Sequence, residues 1–206
     1  MEIIEKLKKF EENGAVTIKL EENFYTQEEW QGIESIILDK DLPTETVYYG
    51  DVGEPNKVDV ARFVTDVEEP KIVNKAFSEP LIKLIYNERV ETFLKKFLKI
   101  SDLFLRRCQL NILEGRGFIG KHLDIDSNPD YLVAVILHFD EGYLGGDFYY
   151  YPNEKRKKID TFKNCVIISS CSIAHEVTSL ESGKRKTLVF FLSEKNGKNK
   201  SKLLIK

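Results

Sequence analysis

Apolar residues recur at helical spacing at Ile3, Ile4, Leu7 and Phe10, and the pair Asn13-Gly14 breaks the pattern before an alternating run from Ala15 to Leu20. This reads as a helix, a glycine stop and a strand. Thr26, followed three residues later by Glu29, has the spacing of a reciprocal helix cap, and Trp30, Ile33, Ile36 and Ile37 continue it as a second helix. Two strands are expected around residues 46–49 and 58–65, joined by the turn-rich GDVGEPNK. From Pro70 to Ile100 the spacing is helical again, with Leu81, Leu84, Ile85, Val90, Phe93, Leu94 and Phe97 as the expected buried set.

After Asp102 the period shortens. The runs LFLRRCQLNIL, GKHLDI, YLVAVILHFD, GGDFYYYP, RKKIDTF, NCVIISS, AHEVTSL and RKTLVFFLS follow one another with turn residues between them. Short strands in such close succession predict a β-sandwich or jelly roll. Tyr131 to Phe139 is apolar on both faces and belongs at the centre of a sheet, with the N-terminal helices packed outside it. The expected class is α+β, with a single domain over residues 1–206. Within it, residues 1–100 form a helix-and-strand support and lid region, 101–195 the jelly-roll core and 196–206 a basic tail.

Composition narrows the function classes. A hydrophobic content of 42% over 206 residues suits a well-buried domain. The 31 basic and 34 acidic side chains are interspersed, so no strong field recruits nucleic acid. The tail EKNGKNKSKLLIK is basic and is expected to be a solvated, frayed terminus. The charged, amphipathic N-terminus has no apolar leader core and no apolar run is long enough to cross a bilayer, which predicts a soluble cytoplasmic protein. Cys108, Cys165 and Cys171 lie in or beside apolar segments, as expected of reduced core thiols, and no Cys-x-x-Cys offers a zinc site.

The candidate chemistry centres on GKHLDIDSNPD, where His122 and Asp124 stand two positions apart on an expected strand and so face the same way. A metal would explain the pair, and so would a plain His-Asp hydrogen bond. A third ligand candidate, His175, opens a strand 53 residues later. Two imidazoles and one carboxylate form the facial triad of non-haem Fe(II), although zinc can use the same three groups with water. Arg185, ten residues after His175, alternates with Thr187, Val189 and Phe191 on an otherwise apolar face. Burying it requires an anionic partner, and a dicarboxylate held by a two-pronged bond is such a partner.

This order of His-x-Asp, a distal His and an Arg ten residues beyond resembles the Fe(II)- and 2-oxoglutarate-dependent dioxygenases, most closely the prolyl 4-hydroxylase-like branch. The likeness runs over residues 105–193 through NILEGRGFIGKHLD, YLVAVILHFDEGYLGGDFYYYP and HEVTSLESGKRKTLVFFL. It implies a double-stranded β-helix, the jelly roll already inferred. It further implies that His122, Asp124 and His175 bind Fe(II) and that Arg185 pairs with the far carboxylate of the cosubstrate 2-oxoglutarate. O2 would be the oxidant and ascorbate an accessory reductant.

Two positions depart from the family pattern. Ile112 stands where the strand before the motif often carries a tyrosine, and His138 occupies the place of a second tyrosine. His138 is either a substitute donor to 2-oxoglutarate or a satisfied core histidine. Glu176 should face away from the metal, Gly145-Gly146 should serve a tight turn, and Tyr149, Tyr150 and Tyr151 should be ordinary strand residues.

The resemblance implies hydroxylation of an unactivated C–H bond, and the retained Asp124 favours this over halogenation. The substrate expected first is a prolyl residue of a peptide, with a free amino acid or other small metabolite next. A metal-binding sensor or binding module without turnover is the reading from another class. The stretch TVYYGDVGEPNKVDVARF resembles the family's mobile cover, with Tyr48, Tyr49 and Arg62 as substrate contacts, and Arg116 is another candidate. A monomer or homodimer is expected, without nucleic acid or membrane partners.

Overall fold

The computed structural model describes residues 3–22 and 24–201. Helix α1 (Ile3–Asn13) stops where Gly14 adopts φ +73°, and the chain enters β1 (Ala15–Lys19). Helix α2 (Gln27–Ile37) starts with the expected reciprocal cap, in which Thr26 Oγ1 accepts the Glu29 N–H at 3.1 Å and the Glu29 carboxylate accepts the Thr26 N–H at 2.7 Å. Such a cap is worth about 1 kcal/mol. β2 (Glu45–Tyr49) and β3 (Pro55–Asp66) pair as a hairpin, and β4 (Pro70–Ile72) pairs with the far end of β3.

The region from Pro70 onward therefore begins as a strand, correcting the helical reading. A proline is tolerated at the first residue of a short strand, where its missing N–H costs little. The helical pattern then divides into α3 (Lys75–Ile85) and α4 (Glu88–Leu98), and Asn87 caps the second by accepting the Val90 N–H at 3.0 Å. Leu81, Ile85, Val90, Leu94 and Phe97 are buried, whereas Leu84 and Phe93 are half-buried. Ile4, one of the helically spaced apolar residues of α1, is 71% exposed, and the side chain of Ile3 lies outside the described residues.

All eight expected late strands form. They are β5 (Phe104–Glu114), β6 (Phe118–His122), β7 (Val133–His138), β9 (Phe148–Tyr150), β10 (Lys157–Lys158), β11 (Cys165–Ser170), β12 (His175–Val177) and β14 (Lys184–Ser193). The short β8 (Leu144–Gly145) and β13 (Leu180–Ser182) pair with each other, and one helical turn, α5 (Asp124–Ser127), follows β6. The larger layer runs β1-β11-β7-β14-β5-β3 and the smaller β6-β12-β9-β10. β3 joins them, pairing with β5 from Asp59 to Val64 and with β6 at Asn56 and Lys57. This is a jelly roll, with β7 central between β11 and β14.

One face of the larger layer packs against the helices. Cys108, Leu110, Val135, Leu137, Leu188 and Phe190 share a core with Trp30, Leu81 and Phe97, and the Trp30 and Phe139 rings lie 4.9 Å apart. The strand period sends the alternate residues of β5, β7 and β14 to the opposite face, between the layers. All three cysteines are buried and none is in a disulfide.

The tail is strapped rather than frayed as far as Ser201. Arg106 donates to the Lys195 and Gly197 carbonyls, and the Asn199 amide donates to the Asp66 and Ser127 carbonyls. Arg106 also makes a two-pronged pair with Asp66, at 3.1 and 2.8 Å, and Asn128 donates to the same carboxylate at 2.7 Å. Residues 202–206 of the basic tail lie outside the described residues.

Candidate active site

Between the layers lies a cavity of about 160 Å³, and His122, Asp124, His175 and Arg185 all line it. β6 ends at His122, Leu123 keeps the chain extended (φ −113°, ψ 132°), and Asp124 opens α5. The strand thus ends at His122 rather than running through Ile125 as the sequence suggests, yet the single extended residue preserves the common facing of His122 and Asp124. His175 enters from β12, directly paired with His122.

The ligand atoms of these three residues all lie within 4.8 Å of one another. Asp124 Oδ1 is 3.5 Å from His122 Nε2 and 3.6 Å from His175 Nε2. Each ring is pinned through its other nitrogen, since His122 Nδ1 meets the Gly120 carbonyl at 2.8 Å and His175 Nδ1 the Ile173 carbonyl at 3.1 Å. Carbonyl contacts of this kind fix the tautomer that presents Nε2 to a metal.

The electrostatics are those of an anion shared by two imidazoles. Burial alone would raise the Asp124 carboxyl, but His175 and His122 outweigh it and hold it below the ordinary carboxylate range. Burial opposes the charged form of His122, yet Asp124 raises its pKa to about 9, while desolvation leaves His175 below the usual imidazole range. A divalent cation would take the place of the proton that Asp124 now attracts.

Arg185 projects from β14 into the same cavity and is 2% exposed. Its Nε has no hydrogen-bond partner among the described residues, and burial pulls its pKa below the ordinary guanidinium value, with Tyr143 acting in the opposite direction. A buried guanidinium with an unmet donor fits an anionic ligand. A Cβ on Gly146 would come within 3.2 Å of Arg185 Cδ, so the glycine doublet leaves room for this side chain.

His138 follows Ala134 and Ile136 on the same face of β7, but only those two line the cavity. Buried at 1% exposure, it is kept neutral by desolvation and by Arg185, and its Nε2 lacks a partner among the described residues. Ile112 turns out to face the helices, packed on the outer core. The inward positions on β5 are Arg107, Gln109 and Asn111, so the sequence alignment at Ile112 is one residue out of phase. Asn111 brings an amide to the cavity where an apolar residue was expected.

Of the four substrate candidates, Tyr49 and Arg62 line the cavity, whereas Tyr48 points elsewhere and Arg116 is exposed in the β5–β6 turn. Glu176 faces outward, accepting the Tyr151 hydroxyl at 2.7 Å. Tyr150 packs in the core, while Tyr149 and Tyr151 carry Arg156 and Lys121 over their rings. The sequence reading passed over Arg107, Gln109, Asn111, Asp51 and Tyr143. The first three were signalled by the alternation of polar residues with Cys108 and Leu110 in LFLRRCQLNIL.

No protein-family model and no curated protein matches the sequence. Among solved structures, an oxidoreductase of the 2OG-Fe(II) oxygenase family from Burkholderia pseudomallei is 28% identical, with a TM-score of 0.85 over 97% of this chain and 93% of that one. In fold and in its His122–Asp124–His175 triad, the chain is similar to the 2-oxoglutarate–Fe(II) oxygenases. Its fold also matches, at 12% identity and a TM-score of 0.65, a prolyl-4-hydroxylase from Pseudomonas putida, over 94% of this chain and all of that one (100%). A third match is the α-ketoglutarate-dependent epimerase SnoN of nogalamycin biosynthesis, at 10% identity and a TM-score of 0.68, covering 93% and 80% of the two chains. The oxygenase fold thus hosts different reactions on one scaffold, and within the described residues no helix is long and apolar enough to cross a membrane.

Proposed function

We propose that this oxygenase hydroxylates an unactivated C–H bond, consuming O2 and 2-oxoglutarate and releasing succinate and CO2, with a prolyl residue of a peptide as the first substrate. The observation that carries the reading is the convergence of His122, Asp124 and His175 in a cavity that also holds the buried guanidinium of Arg185, whose Nε lacks a hydrogen-bond partner among the described residues. The donor set of two imidazoles and a carboxylate fits Fe(II) and leaves positions open. Iron, when bound, supplies the activation of O2 that couples cosubstrate decarboxylation to substrate oxidation.

The chain's own residues bind, orient and shield. The Gly120 and Ile173 carbonyls hold both rings so that their Nε2 atoms and Asp124 share one point. Arg185 anchors the far carboxylate of 2-oxoglutarate, with the neutral His138 beside it as a further donor. Asn111 offers an amide on the cavity wall, its Oδ1 already engaged by Gln109 at 2.7 Å. Ala134, Ile136, Val189 and Phe191 keep the facing wall apolar.

The prolyl reading draws on the Pseudomonas putida neighbour; a free amino acid or other small metabolite is the second reading, favoured by a cavity of only about 160 Å³. Succinate release from Fe(II)-loaded protein, measured against proline-containing peptides and free amino acids, tests both. The oxygenase reading requires 2-oxoglutarate consumption that depends on Fe(II). Protein that binds neither Fe(II) nor 2-oxoglutarate overturns it.

A further inference from the structure

The cavity has a second cationic end. Arg107 lies on the inward face of β5 opposite Phe191, and Arg185 lies opposite Leu113 on the same strand pair. The two positions are therefore six residues of extended chain apart, about 20 Å by strand rise. Arg107 is largely buried, with 19% of its side chain exposed, and its guanidinium lies 5.9 Å over the Phe191 ring. Arg62 lines the cavity from β3, next to Gln109 in register.

Both arginines are capped by carboxylates of one hairpin. Asp51, in the β2–β3 turn, pairs with Arg107 at 2.8 Å and accepts the Ser127 hydroxyl at 2.6 Å, while Glu45 on β2 pairs with Arg62 at 2.5 Å. The caps are unlike the cations they cover. The Asp51 side chain is 50% exposed and that of Glu45 59%, so the hairpin carries its carboxylates from the solvent side onto a fork lodged in the wall. Arg107 is held ready by Gln109, whose Oε1 accepts its Nε–H at 3.0 Å, and Gln109 in turn donates to Asn111. Cation, amide and amide thus form one line along β5. A fork fixed in a cavity wall and covered by an exposed, turn-borne carboxylate is a receptor for a ligand carboxylate.

We propose that the substrate carries a carboxylate that replaces Asp51 on Arg107, with Asp51 and Ser127 latching the hairpin over the cavity until it does. This rests on the oxygenase reading above and names the substrate class for the same site. Arg185 at the other end is left for 2-oxoglutarate, so the two carboxylate-bearing molecules are sorted by the two ends of the cavity. The same chemistry can come from a free amino acid or from the C-terminus of a peptide.

The test uses the full chain loaded with Fe(II) and saturating 2-oxoglutarate under nitrogen, so that Arg185 is occupied and nothing turns over. Calorimetric titration compares two matched pairs, L-proline with L-prolinamide and N-acetyl-Ala-Pro with its C-terminal amide. At least one acid is expected to bind about tenfold or more tightly than its amide, as for a charge pair that the amide cannot make. The first pair assigns a free amino acid and the second a peptide terminus. Arg107→Gln should bring the ratio to about one, and Asp51→Asn, which removes the competing anion from a half-exposed turn and leaves the core intact, should tighten the acid several-fold. The proposal is overturned if neither acid outbinds its amide in the wild type or in Asp51→Asn, or if Arg107→Gln keeps the preference. Fe(II) and 2-oxoglutarate binding in the same titrations reports on the oxygenase reading separately, so its failure is not mistaken for failure of the carboxylate site.

Discussion

His122 and His175 are direct partners across β6 and β12, with ring centroids 4.4 Å apart, yet each ring is turned by its own backbone carbonyl contact so that neither bonds to the other. The two carbonyl contacts set the orientation of the rings. His175→Ala removes one of three ligands and leaves Asp124 with a single imidazole. Bound iron per chain should fall at least about tenfold, with 2-oxoglutarate consumption lost. Iron content at the wild-type level in a folded variant would remove His175 from the ligand set.

Arg185→Ala should separate cosubstrate from metal. The guanidinium is buried, lacks a partner for Nε among the described residues, and is not one of the clustered metal-ligand candidates. Loss of a buried charge pair costs about 2–5 kcal/mol, so the 2-oxoglutarate dissociation constant should rise tenfold or more while Fe(II) affinity stays within a few-fold. Equal weakening of both would show that the substitution has disturbed the cavity as a whole.

The Arg106–Asp66 pair supports the site from outside. With side chains 1% and 0% exposed, it ties β5 to β3 and, through Asn128 and the Lys195 and Gly197 carbonyls, to the segment after α5 and to the tail. Asp66→Ala leaves a buried guanidinium without its carboxylate, at a cost of about 3–5 kcal/mol. For a chain of this size that corresponds to a fall in melting temperature of roughly 6–20 °C. Thermal denaturation showing a shift of less than about 2 °C would mean that water or backbone carbonyls take over the pairing.

The jelly roll was legible because its strands alternate cleanly and end in turn residues, and the His-x-Asp, His and Arg spacing was legible because each element contributes one side chain at its end. What escaped depended on strand phase and on long-range pairing. Ile112 and Asn111 differ by one position, and a one-residue slip exchanges the inner and outer faces of a strand. The Asp51–Arg107 contact joins a hairpin turn to a strand 56 residues away, and no local pattern encodes that distance. Pro70–Ile72 followed the same logic, its strand identity coming from the partner β3 rather than from its own residues.

His138 provides a test of how this chain would seat 2-oxoglutarate. Its ring is buried and neutral, with Arg185 as the charged neighbour that keeps it so, and its Nε2 has no partner among the described residues. An unmet polar nitrogen in such a place costs stability unless a ligand completes it. If 2-oxoglutarate does so, His138→Phe should weaken its binding by about 1–3 kcal/mol, the scale of one hydrogen bond to a charged group, while sparing iron content. His138→Tyr, which restores a hydroxyl donor, should recover most of that loss. A ring that serves only the core gives another pattern, in which both substitutions shift the melting temperature and neither changes the 2-oxoglutarate affinity of the folded protein. Because the Phe variant also removes an unsatisfied nitrogen, it should be as stable as the wild type without ligand or more so, and less stabilised than the wild type when 2-oxoglutarate is added. Melting curves of the three proteins with and without 2-oxoglutarate, set beside titrations of the same samples, therefore distinguish a cosubstrate contact from a packing role.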